Sequence, residues 1–333
     1  MRRRHRLAFR AYVWLLAAVV LLVYWGFGRH PVPSHPTAVT TAQKSRTGLS
    51  AWVRHPALPV AWVADPHDPP APVHEPEGIL LVYGQPTPLW SENASAPGPI
   101  ASTTKLMTAY LSSQALPLDQ IVTVSDQAAA TGGSEMFLRP GDRFTVRQLL
   151  EGMILRSANN AAVALAQATS GSTRAFVAEM NRTAATLGLH ATHFADPDGL
   201  SPDSVSSAAD LARIAEVDLA SPTLRRIFTL KQTSLPENPT VVNIDGMVWR
   251  DPSSLGLKTG WTTEAGACLV FAATRPVDGV PVTLVGVLLH GQAFPQEYRD
   301  AERLLDWGYA ALAPTVARLK AEGTLPTLTP PTD

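Results

Sequence analysis

The spacing of apolar and polar residues divides the chain into four segments. Residues 11–28 form an uncharged, almost entirely apolar run, and prolines then recur from residue 29 to residue 77. A segment so rich in proline cannot sustain a helix or a central strand, so we predict a semi-extended linker at 29–77. The spacing typical of regular secondary structure begins only afterwards. We therefore predict a globular domain at 78–313, followed by a proline-rich tail at 314–333.

Several apolar runs in the globular region have the length and the flanking turn residues of β-strands. Two lie close to its start and three close to its end, at residues 78–83, 88–90, 255–261, 268–274 and 282–289. Asp278 and Gly279, between the last two runs, are typical of a tight hairpin turn. These runs predict antiparallel strands that are joined by short turns.

Apolar residues recur at helical spacing in the middle of the globular region and again near its end. The predicted helices are residues 146–155, 160–169, 173–187 and 296–311. Gly188 stands directly after the third helix, where a glycine commonly ends a helix. Strands, then helices, then strands and a last helix predict an α/β protein of the α+β type. We expect a mainly antiparallel sheet flanked by helices, with a separate helical cluster.

The composition is that of a folded protein with balanced charge. Of the 333 residues, 45% are hydrophobic and 17% are charged, and 27 basic against 28 acidic residues give a net charge of −1. This balance lacks the basic excess of nucleic-acid-binding proteins, so we predict no nucleic-acid partner. Cys268 is the only cysteine, so neither an internal disulfide nor a thiolate metal site can form. We predict no metal and no cofactor, and we expect Cys268 to be buried.

The first 28 residues have the pattern of a short cytoplasmic stub and a membrane anchor. Four arginines among residues 2–6 precede the apolar run at 11–28. As a helix this run would cover about 27 Å, close to the thickness of a bilayer. Residues 29–33 offer no small-residue cleavage site, which favours an uncleaved anchor over a cleaved signal peptide. We expect a single-pass protein of the cytoplasmic membrane whose globular domain lies outside the cytoplasm.

Ser102 and Lys105 are the first candidates for catalytic chemistry. If a helix begins at Ser102, the two side chains share one face, and the serine lies at the positive end of the helix dipole. The chain contains five lysines against 22 arginines. A lysine can lose its proton and act as a base, whereas an arginine cannot, so a lysine here is informative. Taken alone, this spacing is better explained by an N-cap serine and a surface lysine.

Two further motifs offer polar groups to a substrate. Ser157 and Asn159 stand between two predicted helices, where a loop can bring a hydroxyl and an amide to one pocket. A helix N-cap is the simpler explanation for this pair alone. Lys258, Thr259 and Gly260 lie on a predicted strand that could pair with the backbone of a peptide substrate. The alternative there is a strand end with a turn glycine.

In chain order these motifs read Ser-x-x-Lys, Ser-x-Asn and Lys-Thr-Gly, the set found in penicillin-binding proteins and class A β-lactamases. Longer stretches resemble the low-molecular-weight D-alanyl-D-alanine carboxypeptidases, at residues 133–142, 159–166, 193–200 and 257–266. The resemblance covers about residues 78–313 and implies the fold of serine β-lactamases and DD-peptidases. It implies an enzyme that removes the terminal D-alanine from peptidoglycan stem peptides through an acyl-enzyme. β-Lactams are then expected to be covalent inhibitors.

The resemblance also implies a role for each motif residue. Ser102 corresponds to the nucleophile and Lys105 to its general base. Ser157 corresponds to the group that relays a proton to the leaving D-alanine, and Asn159 to the group that holds the substrate amide. The oxyanion hole corresponds to the backbone N–H groups of Ser102 and Trp261.

The Lys-Thr-Gly strand is the implied binding site for the end of the substrate. Lys258 and Thr259 correspond to the residues that engage the terminal carboxylate. Gly260 and Thr262 lie on the same strand and are also predicted to bind substrate. Many relatives add an arginine from a neighbouring strand. Residues 282–285 of that strand here have none, and Arg275 lies in the predicted turn before it. The sequence leaves open whether Arg275 reaches the site, and with it the choice between carboxypeptidase and endopeptidase activity.

Three alternatives to a carboxypeptidase share this fold. They are a DD-endopeptidase, a β-lactamase and a non-catalytic wall-binding relative. A class A β-lactamase needs a Glu-x-x-Leu-Asn pattern that positions the deacylating water, and residues 236–239 do not provide it. A non-catalytic relative would usually have lost motif residues, whereas all three motifs are intact here.

Overall fold

The computed structural model describes residues 73, 75–236 and 238–331. The predicted stub and membrane anchor at 1–28 lie outside the described residues, as does the predicted linker at 29–77 except for its last few positions. None of the helices in the described part of the chain combines the length and the hydrophobicity needed to cross a membrane.

Along the chain, the strands of the main sheet come before and after a long segment that is mostly helical. In chain order the strands are β1 (Glu77–Val82), β2 (Pro88–Glu92), β3 (Gly98–Pro99), β4 (Ile121–Thr123), β5 (Arg143–Thr145), β6 (Val205–Ser206), β7 (Gln232–Leu235), β8 (Asn238–Val242), β9 (Ser254–Thr262), β10 (Gly266–Val277) and β11 (Val280–Gly291). The α-helices are α1 (Lys105–Ala115), α2 (Asp126–Ala129), α3 (Val146–Leu155), α4 (Asn159–Ser170), α5 (Thr173–Leu187), α6 (Ala208–Leu219), α7 (Pro222–Phe228), α8 (Met247–Arg250) and α9 (Phe294–Glu322). A 3₁₀ turn, Ala101–Thr104, leads directly into α1.

A five-stranded sheet lies at the centre of the described domain. Its spatial order is β2-β1-β11-β10-β9, so β9 is an edge strand. All neighbouring pairs are antiparallel, which confirms the strands and the sheet type predicted from the sequence. Asp278 and Gly279 have φ angles of 48° and 76°, as the hairpin turn between β10 and β11 requires.

The side chains of the sheet alternate between two hydrophobic clusters, as the two-residue period of a strand requires. On one face of β10, Cys268 and Val270 pack with the helical cluster. On the other face, Leu269 and Phe271 pack against α9. Cys268 is fully buried, as predicted. The sheet therefore separates α9, with the short helix α8 beside it, from the helical cluster, which confirms the predicted fold class.

Local capping signals explain why several helix boundaries could be predicted. Thr145 and Gln148 form a reciprocal capping box at the start of α3. Gly188, with φ 74°, ends α5 in the left-handed conformation. The predicted bounds of α3 and α5 agree with the structure, and those of α4 differ by one residue at each end.

The last helix is longer than predicted. The predicted helix ended at residue 311, and Pro314 follows, which removes a backbone N–H and clashes with the preceding turn at a cost of about 3 kcal/mol. Helix α9 nevertheless continues to Glu322, and Val316 and Leu319 beyond the proline are buried against the sheet. Burial of those two side chains offsets the cost of the proline. The prediction of a proline-rich tail is therefore wrong for residues 314–322.

The short β3–β6 pair brings together two segments that frame the candidate site. Pro99 pairs with Val205, and the backbone N–H of Ile100 donates to the carbonyl oxygen of Ser204 at 3.3 Å. The 3₁₀ turn follows β3 directly, and the loop at 196–204 precedes β6. These pairings hold the 3₁₀ turn beside that loop.

Candidate active site

Ser102 lies in the 3₁₀ turn that precedes α1. Residues three apart are aligned in such a turn, so Ser102 and Lys105 share one side of it. The Nζ atom of Lys105 lies 2.7 Å from the Oγ atom of Ser102. Lys105 has no exposed surface. The N-cap residues of the turn and of the helix are Ile100 and Thr104, so Ser102 caps neither. The alternative of an N-cap serine beside a surface lysine is therefore wrong.

Three oxygen atoms surround the amine of Lys105. Besides Ser102 Oγ, they are the Oδ1 atom of Asn159 at 2.7 Å and the carbonyl oxygen of Asp198 at 2.5 Å. The latter two oxygens can only accept hydrogen bonds. A neutral amine has two N–H groups and one lone pair, so its N–H groups serve these two acceptors. The lone pair then points at the hydroxyl of Ser102, which is the arrangement that a general base needs.

Burial favours the neutral form of this amine. It lowers the pKa of Lys105 from its ordinary value to about 8, although the charges of Asp198 and Asp196 act in the opposite direction. The desolvation of the ammonium form thus outweighs its attraction to the two nearby carboxylates. A usable fraction of Lys105 is unprotonated near neutral pH.

The loop at 196–204 is a part of the site for which the sequence motifs predicted no role. The carboxylate of Asp196 accepts hydrogen bonds from the backbone N–H groups of Gly199 and Ser201, at 2.8 and 2.6 Å. These bonds fix the loop so that the Asp198 carbonyl faces Lys105. Burial raises the pKa of the Asp198 carboxyl to about 6. The Asp-Pro-Asp-Gly sequence at 196–199 is a recognisable turn signal, but it does not reveal which residues the turn meets.

Ser157 and Asn159 lie at the junction of α3 and α4. Asn159 is the first residue of α4 and is buried, and its Nδ2 atom donates to the Gly132 carbonyl at 2.8 Å. The side-chain amide of Asn159 thus joins Lys105 to the Gly132 carbonyl. Ser157 is also buried, with φ 58°, and its hydroxyl makes no hydrogen bond to the described residues. That hydroxyl is free to serve a substrate.

Strand β9 passes directly beside the 3₁₀ turn at Gly260. A Cβ atom on Gly260 would lie 2.9 Å from the backbone nitrogen of Ser102 and 3.0 Å from that of Thr103. Only a glycine permits this approach of two backbones. Lys258, two residues earlier, is buried, and its Nζ atom donates to the Thr259 carbonyl at 2.7 Å.

Lys258 has an electrostatic environment different from that of an ordinary lysine. Burial, together with the charge of Lys105, lowers its pKa well below the usual range, and the carboxylate of Asp245 acts against this shift. An anion bound nearby would restore the charged form, because opposite charges favour each other. The charged form of Lys258 would therefore be stabilised by a negatively charged ligand.

The other predicted residues of β9 occupy different environments. Thr259 is buried, and its hydroxyl makes no hydrogen bond to the described residues. Trp261 has 59% of its surface exposed and pairs with Ala267 on β10. The Oγ1 atom of Thr262 accepts from the N–H of Ala265 at 3.1 Å, so the Thr262 hydroxyl helps to order the turn between β9 and β10.

Arg275 is not a candidate for carboxylate binding. It lies within β10 rather than in the following turn, and it is in register with the residues of the α9 face. Its guanidinium donates to Asp251 at 2.7 Å and to Asp306 at 2.6 Å, and it lies over the ring of Tyr309. The two-residue period of the strand thus directs it away from the helical cluster that contains Ser102.

The described residues contain no group of three histidine, cysteine or acidic side chains arranged to hold a metal ion.

A serine hydroxyl in contact with a buried, partly neutral lysine, beside the edge of an antiparallel sheet, defines the class of serine acyl-transferases to which penicillin-binding proteins belong. Residues 78–288 match the family model described as D-alanyl-D-alanine carboxypeptidase. The chain therefore belongs to the D-alanyl-D-alanine carboxypeptidase family, which confirms the resemblance drawn from its motifs.

Curated relatives support this assignment. The chain is 34% identical over 245 residues to D-alanyl-D-alanine carboxypeptidase DacA of Escherichia coli K12, a match of 69% of this chain and 60% of DacA. It is 34% identical over 255 residues to a D-alanyl-D-alanine carboxypeptidase of a Streptomyces strain, a match of 70% of this chain and 86% of the relative. The chain thus spans about three fifths of the length of the Escherichia coli relative.

Solved structures show the same fold. Penicillin-binding protein 6B from Escherichia coli matches with a TM-score of 0.67 and 35% identity, over 73% of this chain and 80% of that protein. A Streptomyces DD-transpeptidase matches with a TM-score of 0.67 and 32% identity, over 73% of this chain and 99% of that protein.

Proposed function

We propose that this protein is a serine-type D-alanyl-D-alanine carboxypeptidase that removes the terminal D-alanine from peptidoglycan stem peptides. The observation that carries the proposal is the 2.7 Å contact between Ser102 Oγ and the fully buried amine of Lys105. Family membership and the names of the relatives support the choice of substrate.

In the acylation step, Lys105 takes the hydroxyl proton of Ser102. The Oγ atom attacks the carbonyl carbon between the two D-alanines, and a C–O bond forms while the carbonyl oxygen becomes negatively charged. The backbone N–H groups of Ser102 and Trp261 would stabilise this oxyanion. Gly260 supports that assignment, because its backbone already packs against the nitrogen of Ser102.

The leaving D-alanine needs a proton and a site for its carboxylate. When the C–N bond breaks, the proton held by Lys105 passes through the hydroxyl of Ser157 to the departing nitrogen. Lys258 and Thr259 bind the carboxylate, and its negative charge stabilises the protonated form of Lys258. Asn159 orients Lys105 and can accept a further hydrogen bond from the substrate amide, since its Oδ1 atom has a second lone pair.

Deacylation regenerates the enzyme. A water molecule gives a proton to Lys105 and attacks the ester carbon, and the bond to Ser102 Oγ breaks as the serine recovers its proton. A β-lactam would follow the acylation step with its strained amide in place of the peptide. Because its leaving group stays attached, deacylation would be slow and the drug would act as a covalent inhibitor.

The test is release of D-alanine from a diacetyl-L-lysyl-D-alanyl-D-alanine peptide by the full chain. We expect release by the wild-type enzyme and none by Ser102→Ala. Benzylpenicillin should add its mass to the wild-type protein, and peptide mapping should place the adduct on Ser102. Undiminished release by the variant, or an adduct on another residue, would contradict the proposal.

We also propose that residues 11–28 anchor the chain in the cytoplasmic membrane with the globular domain outside the cytoplasm. The arginines before this apolar run support that orientation. Protease added to intact spheroplasts should digest the globular domain without detergent. Protection of the domain until the membrane is dissolved would contradict this orientation.

A further inference from the structure

Asp245 is a buried acid in the loop between β8 and α8. Only 3% of its surface is exposed. Its Oδ1 atom accepts a hydrogen bond from the backbone N–H of Met247 at 2.9 Å, whereas its Oδ2 atom makes no hydrogen bond to the described residues. An unsatisfied carboxylate oxygen in the interior is costly. An asparagine could form the same turn without a charge, so the turn does not account for an acid at this position.

Hydrogen bonds fix the position of this loop against two helices. The N–H of Ile244 donates to the carbonyl oxygen of Leu155, the last residue of α3, at 2.9 Å. The hydroxyl of Tyr298, on α9, donates to the Ile244 carbonyl at 3.3 Å. Because Leu155 is two residues before Ser157, the loop is tied to the segment that leads to Ser157.

Helix α8 follows the loop and lies against β9. A Cβ atom on Gly256 would lie 2.9 Å from the Cγ1 atom of Val248. Val248 is three residues after Asp245, and Gly256 is two residues before Lys258. This contact brings Asp245 close to Lys258, and the charges of the two buried side chains interact.

Three elements present titratable groups to this pair. Lys258 on β9 acts on Asp245, Lys105 on α1 acts on Lys258, and Tyr298 on α9 lies near Asp245. Burial raises the pKa of Asp245 to about 6, and the hydrogen bond from Met247 and the charge of Lys258 limit this rise. Asp245 is thus mostly ionised at neutral pH.

The charge of Lys258 decides how well the site receives a carboxylate. The protonated lysine attracts an anion, and the apparent affinity falls with the fraction of the enzyme that carries this proton. Burial and the charge of Lys105 both reduce that fraction, whereas the carboxylate of Asp245 increases it. Without Asp245, more of the binding events would have to include the uptake of a proton.

We propose that Asp245 is a positioning residue for substrate recognition, which acts through Lys258 by keeping that lysine charged for the terminal carboxylate of the substrate. Asp245 itself does not touch the substrate. The proposal rests on the proposed function, because it requires that Lys258 binds the substrate carboxylate.

Two penicillins that differ only in their charge provide the test. Benzylpenicillin carries a carboxylate, and its methyl ester has the same ring system and acyl side chain without that charge. The second-order rate of Ser102 acylation by each compound is followed by intact mass spectrometry of the full chain. The ratio of the two rates within one preparation cancels differences in the fraction of active protein and in the protonation of Lys105.

The variant is Asp245→Asn, which keeps the size of the side chain and the acceptor for the Met247 N–H. Asp251→Asn is the matched control, because Asp251 is a second acid with little exposed surface, at the other end of α8, and it pairs with Arg275. At pH 8 we expect the preference for benzylpenicillin over its ester to fall about tenfold in Asp245→Asn. The control should keep the wild-type preference.

The pH dependence separates an effect of charge from an effect of shape. Asp245 loses its charge below about pH 6, so the wild type and Asp245→Asn should show similar preferences at pH 5.5 and differ most at pH 8. A loss of preference that is equal at both pH values would overturn the proposal, because the substitution would then act through shape.

A preference within twofold of the wild type in Asp245→Asn at pH 8 would also overturn the proposal while leaving the proposed function intact. An equal loss in Asp251→Asn, or a wild type that does not prefer benzylpenicillin to its ester, would have the same meaning. If the wild type is acylated by neither compound, the proposed function fails, and the role of Asp245 fails with it.

Discussion

The amine of Lys105 lies 2.5 Å from the carbonyl oxygen of Asp198, a residue 93 positions further along the chain. This contact occupies one of the two N–H groups of a neutral lysine, and Asn159 occupies the other. The lone pair is thereby directed at Ser102. The Asp198 carbonyl belongs to the backbone, so no side-chain substitution removes it. Together with Asn159 Oδ1, it leaves Ser102 Oγ as the one of the three neighbouring oxygens that faces the lone pair.

We predict that Lys105→Arg abolishes acylation, because a guanidinium stays protonated and cannot take the proton of Ser102. The rate of covalent labelling by benzylpenicillin should fall by at least about 10²-fold. Lys231→Arg is the control, since Lys231 is exposed and lies over the ring of Trp249. Labelling of Lys105→Arg at more than a tenth of the wild-type rate would refute the role of Lys105 as the base.

The pH dependence of acylation should follow the protonation of Lys105. Its pKa is lowered to about 8, and the base form exists above the pKa. The acylation rate should therefore rise with pH and reach half its maximum near pH 8. Stopped-flow or quenched-flow labelling between pH 6 and pH 9 measures this profile. A rate that falls with rising pH over this range would contradict the assignment.

Asp198→Asn should move that profile to lower pH. The carboxylate of Asp198 raises the pKa of Lys105, so its removal lets burial lower the pKa further. The backbone carbonyl that contacts Lys105 is retained in this variant. Asp203→Asn is the control, because Asp203 is an exposed acid in the same loop. If the pH of half-maximal acylation rises in Asp198→Asn, a group other than Lys105 governs the pH dependence of acylation.

Gly260→Ala should impair the proposed oxyanion hole. The added Cβ would lie 2.9 Å from the nitrogen of Ser102, so β9 and the nucleophile turn must move apart. We expect acylation to slow by about 10²-fold, the effect of losing one oxyanion donor. Gly132→Ala is the control, since a Cβ there would meet no atom within 4 Å. Equal acylation rates of the two variants would contradict this role for β9.

Arg275→Ala should reduce stability and leave substrate binding unchanged. The guanidinium pairs with Asp251, which is 9% exposed, and its loss leaves that carboxylate without its cation. We expect the free energy of unfolding to fall by about 1–3 kcal/mol, measured by urea denaturation. The exposed pair of Arg250 and Glu302 gives the comparison, because Arg250→Ala should cost at most about 1 kcal/mol. A large increase in the KM for the peptide in Arg275→Ala would show that Arg275 does bind the substrate carboxylate, contrary to this prediction.

Much of the fold could be predicted from the sequence because its signals are local. The capping box at Thr145 and the left-handed Gly188 each involve only residues next to the helix end that they mark. Helices α6 and α7 were not predicted, although Ser207 and Ser221 cap their first turns. A serine before an apolar run is common outside helices as well, so this signal alone does not identify a helix. The extension of α9 beyond residue 311 was not predicted either, because Val316 and Leu319 are buried by sheet strands that lie far away in sequence.

The sequence by itself indicated that Ser102 and Lys105 share one side of a turn, because three residues along one turn suffice to align two side chains. The resemblance of all three motifs to a known family, rather than this spacing alone, predicted that the pair is catalytic. The sequence also predicted that Gly260 lies on a strand that could pair with a peptide substrate. Only the tertiary structure decided that Asp198 would complete the surroundings of Lys105, and that Arg275 would face α9 instead of the substrate. The first depends on a contact across 93 residues, and the second on the strand register, which is settled by packing on both faces of the sheet.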